Sequence, residues 1–230
     1  PLPRDLYGPT RTNSRGLDLT NESQLRRLSE TFRASLEQAI MAAPMLSADA
    51  PISHPAGQWL EVLNPAQRLD VVGRVRCATL DDVDWALQAA ASGAAPWAAT
   101  PPAERARLLE GAADRLEADM PRLMALLIRE AGKTAANAVA EVREAVDFLR
   151  YYARQAREHF DNANHHPLGP VVCISPWNFP LAIFMGQVAA ALAAGNVVLA
   201  KPAEQTPLVA AEGVRALWAA GVKLRQFIAR

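Results

Sequence analysis

Two short stretches of this 230-residue chain hold residue types that do chemistry at the mouth of a cleft. The first, CISPWNFPL, runs from Cys173 to Leu181 and sets Trp177, Asn178 and Phe179 between Pro176 and Pro180. An amide held stiffly by two prolines is a preset hydrogen-bond donor, the group that an oxyanion forming on a carbonyl needs. The same Asn equally serves a turn through its own backbone. The second stretch, KPAEQ, places Lys201 three residues before Glu204. An ammonium and a carboxylate together match the donors and acceptors of a ribose diol; in solvent they simply form an ion pair. Trp177 either covers a flat cofactor ring or caps the sheet.

The remaining candidates carry less chemistry. His165-His166 has no carboxylate or Cys at ligand spacing and reads as a surface loop, so no metal site is expected. Cys173 lies inside an apolar run, where a buried thiol is normally inert, and Cys77 ends a strand-like segment. Tyr151-Tyr152 reads as packing, and Glu144 as a surface or boundary carboxylate on a long helix.

The elements that position these stretches follow from hydrophobic periodicity. PVVCIS and NVVLAK are short, nearly continuous apolar runs rich in β-branched residues, the signature of strands buried on both faces. Leu181 to Ala194 reads as the helix between them, closed by Gly195, and Thr206-Pro207 as an N-cap and first residue opening the next. Strand, helix, strand, helix is the grammar of a parallel α/β sheet, where ligands gather beyond the carboxyl ends of the strands. Both PWNFP and KPAEQ sit there. Neither strand is followed by GxGxxG, so the usual pyrophosphate turn is missing.

Upstream, residues 1–19 read as an extended arm. Leu25, Leu28, Phe32, Leu36 and Ile40 recur at helical spacing from Thr20, the expected N-cap. Pro44 to Gly57 reads as a linker, and WLEVL and VVGRVRC as two strands about the Asn64-Pro65 turn. Thr79 caps a helix with Asp81 and Asp82 in its first turn. Further helices follow, one starting near Asp119 and ending at Gly132, another running from about Thr134 to Phe160. The expected division is an arm, helix and linker over 1–56 and an incomplete cofactor-binding domain over 57–230.

Composition excludes several classes. Half the residues are hydrophobic, which suffices for a core, and the formal net charge is zero. No global positive field draws in nucleic acid. The longest apolar stretch is too short to span a bilayer, and no membrane span is expected. Two cysteines without clustering fit a reducing, cytoplasmic setting.

GPVVCISPWNFPLAIFMGQVAAALAAGNVVLAKPAEQTPL resembles the cofactor-binding half of the NAD(P)-dependent aldehyde dehydrogenase superfamily, and the helices from about Asp81 to Phe160 fit the same family. LYGPTRTNSRGLDLTNESQLRRL looks like the segment that precedes the 1-pyrroline-5-carboxylate dehydrogenase domain in the bifunctional proline utilization A family, and EVREAVDFLRYYARQAR leans toward the same family. There that domain is joined to a flavin-dependent proline dehydrogenase; FAD would belong to the latter, separate domain.

The resemblance implies an α/β fold: a partial Rossmann-like parallel sheet with an N-terminal helical region and a β-hairpin. It implies NAD as cofactor, with Lys201 and Glu204 on the adenosine ribose and Ile174, Ser175, Pro176 and Trp177 lining it. Asn178 would be the oxyanion donor, and Glu144 and Phe179 would line the aldehyde pocket. The implied reaction oxidises glutamate semialdehyde to glutamate through a thiohemiacetal on a Cys, in a bacterial cytoplasmic protein that reaches the membrane only peripherally.

The family's nucleophilic Cys, its general-base Glu and its glycine-bearing turn lie C-terminal to KPAEQTP. This segment is therefore expected to be inactive alone. The tail GVKLRQFIAR departs from the family pattern, and FDNANHHPLGP shows no oligomerisation hairpin. An open strand edge predicts self-association or partial order at the C-terminal end. Alternatives are another aldehyde, such as succinate semialdehyde, or a non-catalytic assembly module.

Overall fold

The computed structural model describes residues 5–36, 39–45, 57–222, and 225 and 226. Most of the expected linker and of the expected C-terminal tail lies outside the described residues. The elements are α1 (Glu22–Leu36), β1 (Ile40–Ala42), β2 (Trp59–Asn64), β3 (Gln67–Arg76), α2 (Leu80–Ala99), α3 (Pro102–Ala118) and α4 (Met120–Ala131). They continue with α5 (Ala135–His159), β4 (Pro170–Ile174), α6 (Ala182–Ala193), β5 (Val197–Lys201), α7 (Pro207–Ala219) and β6 (Arg225–Gln226). The fold is α/β, as the strand–helix alternation predicts.

Helix α5 is the spine. Ala138, Val142, Ala145, Leu149, Ala153 and Ala156 form one fully buried stripe at helical spacing. Four of the six are alanines, so α3 and α6 come close to it and fill the interface with Leu109, Leu116, Phe184 and Val188. α6 is apolar but for Gln187, which marks a helix enclosed over most of its surface. Gly186 lies where an added Cβ would meet the Phe148 ring at 3.0 Å.

The site-bearing sheet has strand order β4-β5-β6. β4 and β5 run parallel, from Pro170 opposite Val197 to Ile174 opposite Lys201. β5 is buried from Val197 to Ala200, because α6 covers one face while Ala86 and Ala90 of α2 pack against Val197 and Leu199 on the other. β4 is covered on one face only: Cys173 is buried, whereas Pro170, Val172 and Ile174 are exposed. The sequence shows two parallel strands; the structure adds a short third, with Leu199 opposite Arg225 and Ala200 opposite Gln226.

The second sheet, in order β1-β3-β2, contains the expected antiparallel hairpin with bulges near Leu63. Ile40 does not continue α1 but enters β1, parallel to β3 and opposite Gly73. A Cβ at Gly73 would meet the Ile40 carbonyl at 2.1 Å, so only glycine permits that approach. The N-cap of α1 is Asn21, whose Oδ1 accepts from Ser23 and Gln24 N–H, while Thr20 bonds back to Asp18.

The arm is packed down as well. Ser14 donates N–H and Oγ–H to Asp147 at 2.8 and 2.6 Å, and Arg15 N–H reaches Glu117 at 2.7 Å. Among the described residues no helix is long and apolar enough to cross a membrane.

Candidate functional site

Both chemistry-bearing stretches leave the sheet at its carboxyl edge, side by side. The parallel register sets Ile174 against Lys201, and Ser175 N–H continues the ladder by donating to the Lys201 carbonyl at 3.1 Å. Ser175 Oγ then donates to Gln187 Oε1 at 3.1 Å, which explains why a polar residue interrupts the apolar face of α6. Pro176 is half-buried, whereas Ile174 and Trp177 are 63% and 57% exposed. An apolar strip is thus left open beside the strand ends, and Lys201 is half-buried next to it. Among the described residues the Lys201 ammonium meets only the Pro202 carbonyl, at 3.3 Å.

Beyond Trp177 the corner turns toward α5. The Asn178 amide side chain makes no hydrogen bond among the described residues, so it is not spent on its own turn. The Asn178 backbone carbonyl instead accepts from Lys133 Nζ at 2.6 Å. The same ammonium lies 4.3 Å from the centre of the Phe179 ring and 2.9 Å from Glu141 Oε2. That ion pair lacks hydrogen-bond geometry. Glu141 is buried, and its Oε1 accepts from Leu181 and Ala182 N–H at 3.0 and 3.1 Å, capping α6. Glu144, one turn along α5, is exposed at the rim. Partial burial and the Glu141 charge raise its pKa above the ordinary carboxylate value, and Lys133 opposes them.

The second corner is held in the same way. Thr206 occupies the N-cap position of α7 with Pro207 at N1, but its buried Oγ has no hydrogen-bond partner among the described residues. This corrects the expected cap. Glu130, at the end of α4, replaces it by accepting from Leu208 and Val209 N–H at 2.7 and 2.9 Å. Burial pushes the Glu130 carboxyl up to about 8, the two N–H groups pull it down, and the Glu212 charge adds to the rise. Because carboxylates already fill the N-termini of α6 and α7, neither end is free to receive a pyrophosphate.

The candidate residues fall into two groups. Asn178, Phe179 and Glu144 gather around Lys133 on the α5 side. Ile174, Ser175, Pro176, Trp177 and Lys201 follow the strand ends. Glu204 is exposed and borders a hollow of about 440 Å³ with Val62, Val75, Cys77 and Glu130; neither Asn178 nor Lys201 lines that hollow. Cys173 is buried, with its thiol pushed up to about 11, as its place inside the strand predicts. No group of three or more His, Cys, Asp or Glu side chains able to hold a metal occurs among the described residues.

Sequence reasoning missed Lys133, Glu141 and Glu130. The two carboxylates were detectable in principle. Glu141 interrupts the buried stripe of Ala138, Val142 and Ala145, and Glu130 interrupts that of Leu123, Leu126 and Leu127. A charge on a stripe destined for the core requires a buried partner.

Residues 52–224 match the model of the aldehyde dehydrogenase family, and the chain belongs to that family. It is 60% identical over 222 residues to the bifunctional protein PutA of Klebsiella aerogenes, covering 96% of this chain and 17% of that relative. A solved structure of proline utilization A from Bdellovibrio bacteriovorus, inactivated by N-propargylglycine, superposes with a TM-score of 0.89 at 28% identity, over 96% of this chain and 25% of the other. A Thermus 1-pyrroline-5-carboxylate dehydrogenase with bound NAD superposes with a TM-score of 0.85 at 31% identity, over 94% and 45%. The chain therefore spans about a sixth of the length of the PutA relative.

Proposed function

We propose that this chain is the NAD-binding portion of a 1-pyrroline-5-carboxylate dehydrogenase, which oxidises glutamate semialdehyde to glutamate in proline breakdown. The observation that carries this reading is the register of β4 and β5. It places an exposed apolar strip, Ile174 and Trp177, beside the Lys201 ammonium at one sheet edge, in a chain of the aldehyde dehydrogenase family. A flat ring carried on a ribose suits that combination. Lys201 and Glu204 would hold the adenosine ribose of NAD, and Ile174 to Trp177 would line the cofactor. Bound NAD supplies the hydride acceptor.

Asn178 keeps its amide free to donate to an oxyanion, and Glu144 and Phe179 border the aldehyde. A carboxylate there suits glutamate semialdehyde, whose ammonium it would attract. The thiolate has to come from outside these residues. Cys173 is buried with a raised pKa, and Cys77 lies by the hairpin hollow. The segment alone is therefore expected to bind but not to oxidise. FAD chemistry belongs to a separate domain, and the setting is the bacterial cytoplasm. The open edge of β4 in the β4-β5-β6 sheet favours self-association.

The test is NADH formation by the intact enzyme with glutamate semialdehyde and with succinate semialdehyde. The reading expects preference for the former and a raised KM in Glu144→Ala. Equal turnover of both aldehydes would remove the substrate assignment.

A further inference from the structure

Lys133 and its partner Glu141 are charged residues of the first corner that this functional reading leaves without a role. Lys133 follows Gly132, whose φ of 66° ends α4 in the left-handed conformation. Its side chain is 13% exposed, and its ammonium reaches the Asn178 carbonyl, the Phe179 ring and Glu141. Glu141 in turn grips the N–H groups of Leu181 and Ala182. One ion pair thus holds Asn178, Phe179, Leu181 and Ala182, and Pro180 between them has its φ fixed by its ring. Among the described residues the Asn178 amide side chain has no hydrogen-bond partner, whereas the carbonyl of the same residue is held by Lys133. Carbonyl and amide side chain hang from the same Cα, so restraining the first restrains the direction of the second.

We propose that Lys133 is a positioning residue for aldehyde oxidation: by holding the Asn178 carbonyl it aims the Asn178 amide at the developing oxyanion. The proposal rests on the reading of Asn178 as oxyanion donor. An amide that must donate in the transition state gains from being fixed beforehand, and a misaimed donor loses most of its effect. Glu141 keeps the lysine in place and keeps its charge balanced.

The experiment compares Lys133→Met, Lys133→Arg and Asn178→Ala in the intact enzyme. It measures kcat with glutamate semialdehyde, the Kd for NAD, the melting temperature, and hydrogen exchange in the peptide spanning Trp177 to Ile183. Lys133→Met is expected to lower kcat about tenfold to hundredfold, part of what losing an oxyanion donor costs. NAD affinity should stay within about twofold, since uniform binding is untouched. Exchange should quicken in that peptide and not across Val197 to Lys201, and Lys133→Arg should recover most of the turnover.

A kcat for Lys133→Met within about threefold of the parent would overturn the proposal, because a transition-state contact would then be intact. Parallel losses of NAD affinity and melting temperature would also overturn it, as the mark of a purely structural lysine. If Asn178→Ala leaves kcat unchanged, the donor reading fails and the proposal fails with it. If the parent oxidises no aldehyde, the proposed function falls. Exchange then decides: faster exchange confined to the corner keeps Lys133 as its holder, and unchanged exchange removes that role too.

Discussion

The two corners at the carboxyl edge of the β4–β5 pair are fixed by the same device in opposite electrostatic settings. After β4, buried Glu141 accepts from the Leu181 and Ala182 N–H groups and is balanced by Lys133. After β5, buried Glu130 accepts from Leu208 and Val209, and among the described residues no cation pairs with it. The nearby Glu212 is committed to Arg122 and Arg215. Burial therefore raises the Glu130 carboxyl to about 8. A carboxylate brought in from another helix can cap a helix that its own residues leave uncapped. Where the core supplies no cation, burial favours the protonated form.

That difference can be broken by mutation. The largest expected effect is Glu141→Ala, which strands Lys133 and two N–H groups and should cost about 3–5 kcal/mol in denaturant unfolding. Glu130→Ala leaves two N–H groups unpaired but no cation, and should cost about 2–3 kcal/mol. Equal losses would mean that the ion pair is not what separates the corners.

The pH dependence sharpens the same contrast. The Glu130 carboxyl is raised in the folded state from 4.5 to about 8, so the folded form keeps a proton that the unfolded chain releases. Its contribution is full below about pH 4.5 and fades as pH rises through about 8. The slope cannot exceed about 1.4 kcal/mol per pH unit for one proton. Stability measured from pH 5 to 8 should therefore fall more steeply in the parent than in Glu130→Gln. Parallel curves would show that the carboxyl is already ionised.

The smallest effects come from Thr79 and Thr206, two of the three threonines that the sequence casts as N-caps. Thr79 Oγ accepts from Asp82 N–H while the Asp82 carboxylate accepts from Thr79 N–H, so Thr79→Ala should cost about 1 kcal/mol. Thr206 Oγ is buried without a partner among the described residues, so Thr206→Val should leave stability unchanged or raise it by up to about 1 kcal/mol. A loss at Thr206 matching that at Thr79 would mean that its hydroxyl caps α7 after all.

These cases also show what the chain discloses before it is folded. Periodicity locates α2 to α7 and the pairing of β4 with β5, because their apolar stripes are long and several of their stops are Gly or Pro. The Gly132 and Gly195 stops both have positive φ in the structure. Local pattern fails where a distant residue decides. Ile40 keeps the helical spacing of α1 but is drawn into β1 by β3, about thirty residues later, a tertiary contact that overrides propensity. Thr206-Pro207 has the sequence of a cap, yet Glu130 does the work from 78 positions upstream. The same holds for the site. PWNFP and KPAEQ are visible as stretches, but the lysine and the glutamates that hold them belong to the helical layer and become partners only through packing.

The most direct test of the account is a calorimetric titration of NAD into the intact enzyme, run beside Lys201→Ala. A single saturable site is expected, weakened about tenfold or more in the variant, as the loss of a charged hydrogen bond to a ribose requires. Binding that is equally tight without the lysine would contradict it, since the edge where Ile174 meets Lys201 would then not be where the dinucleotide lies.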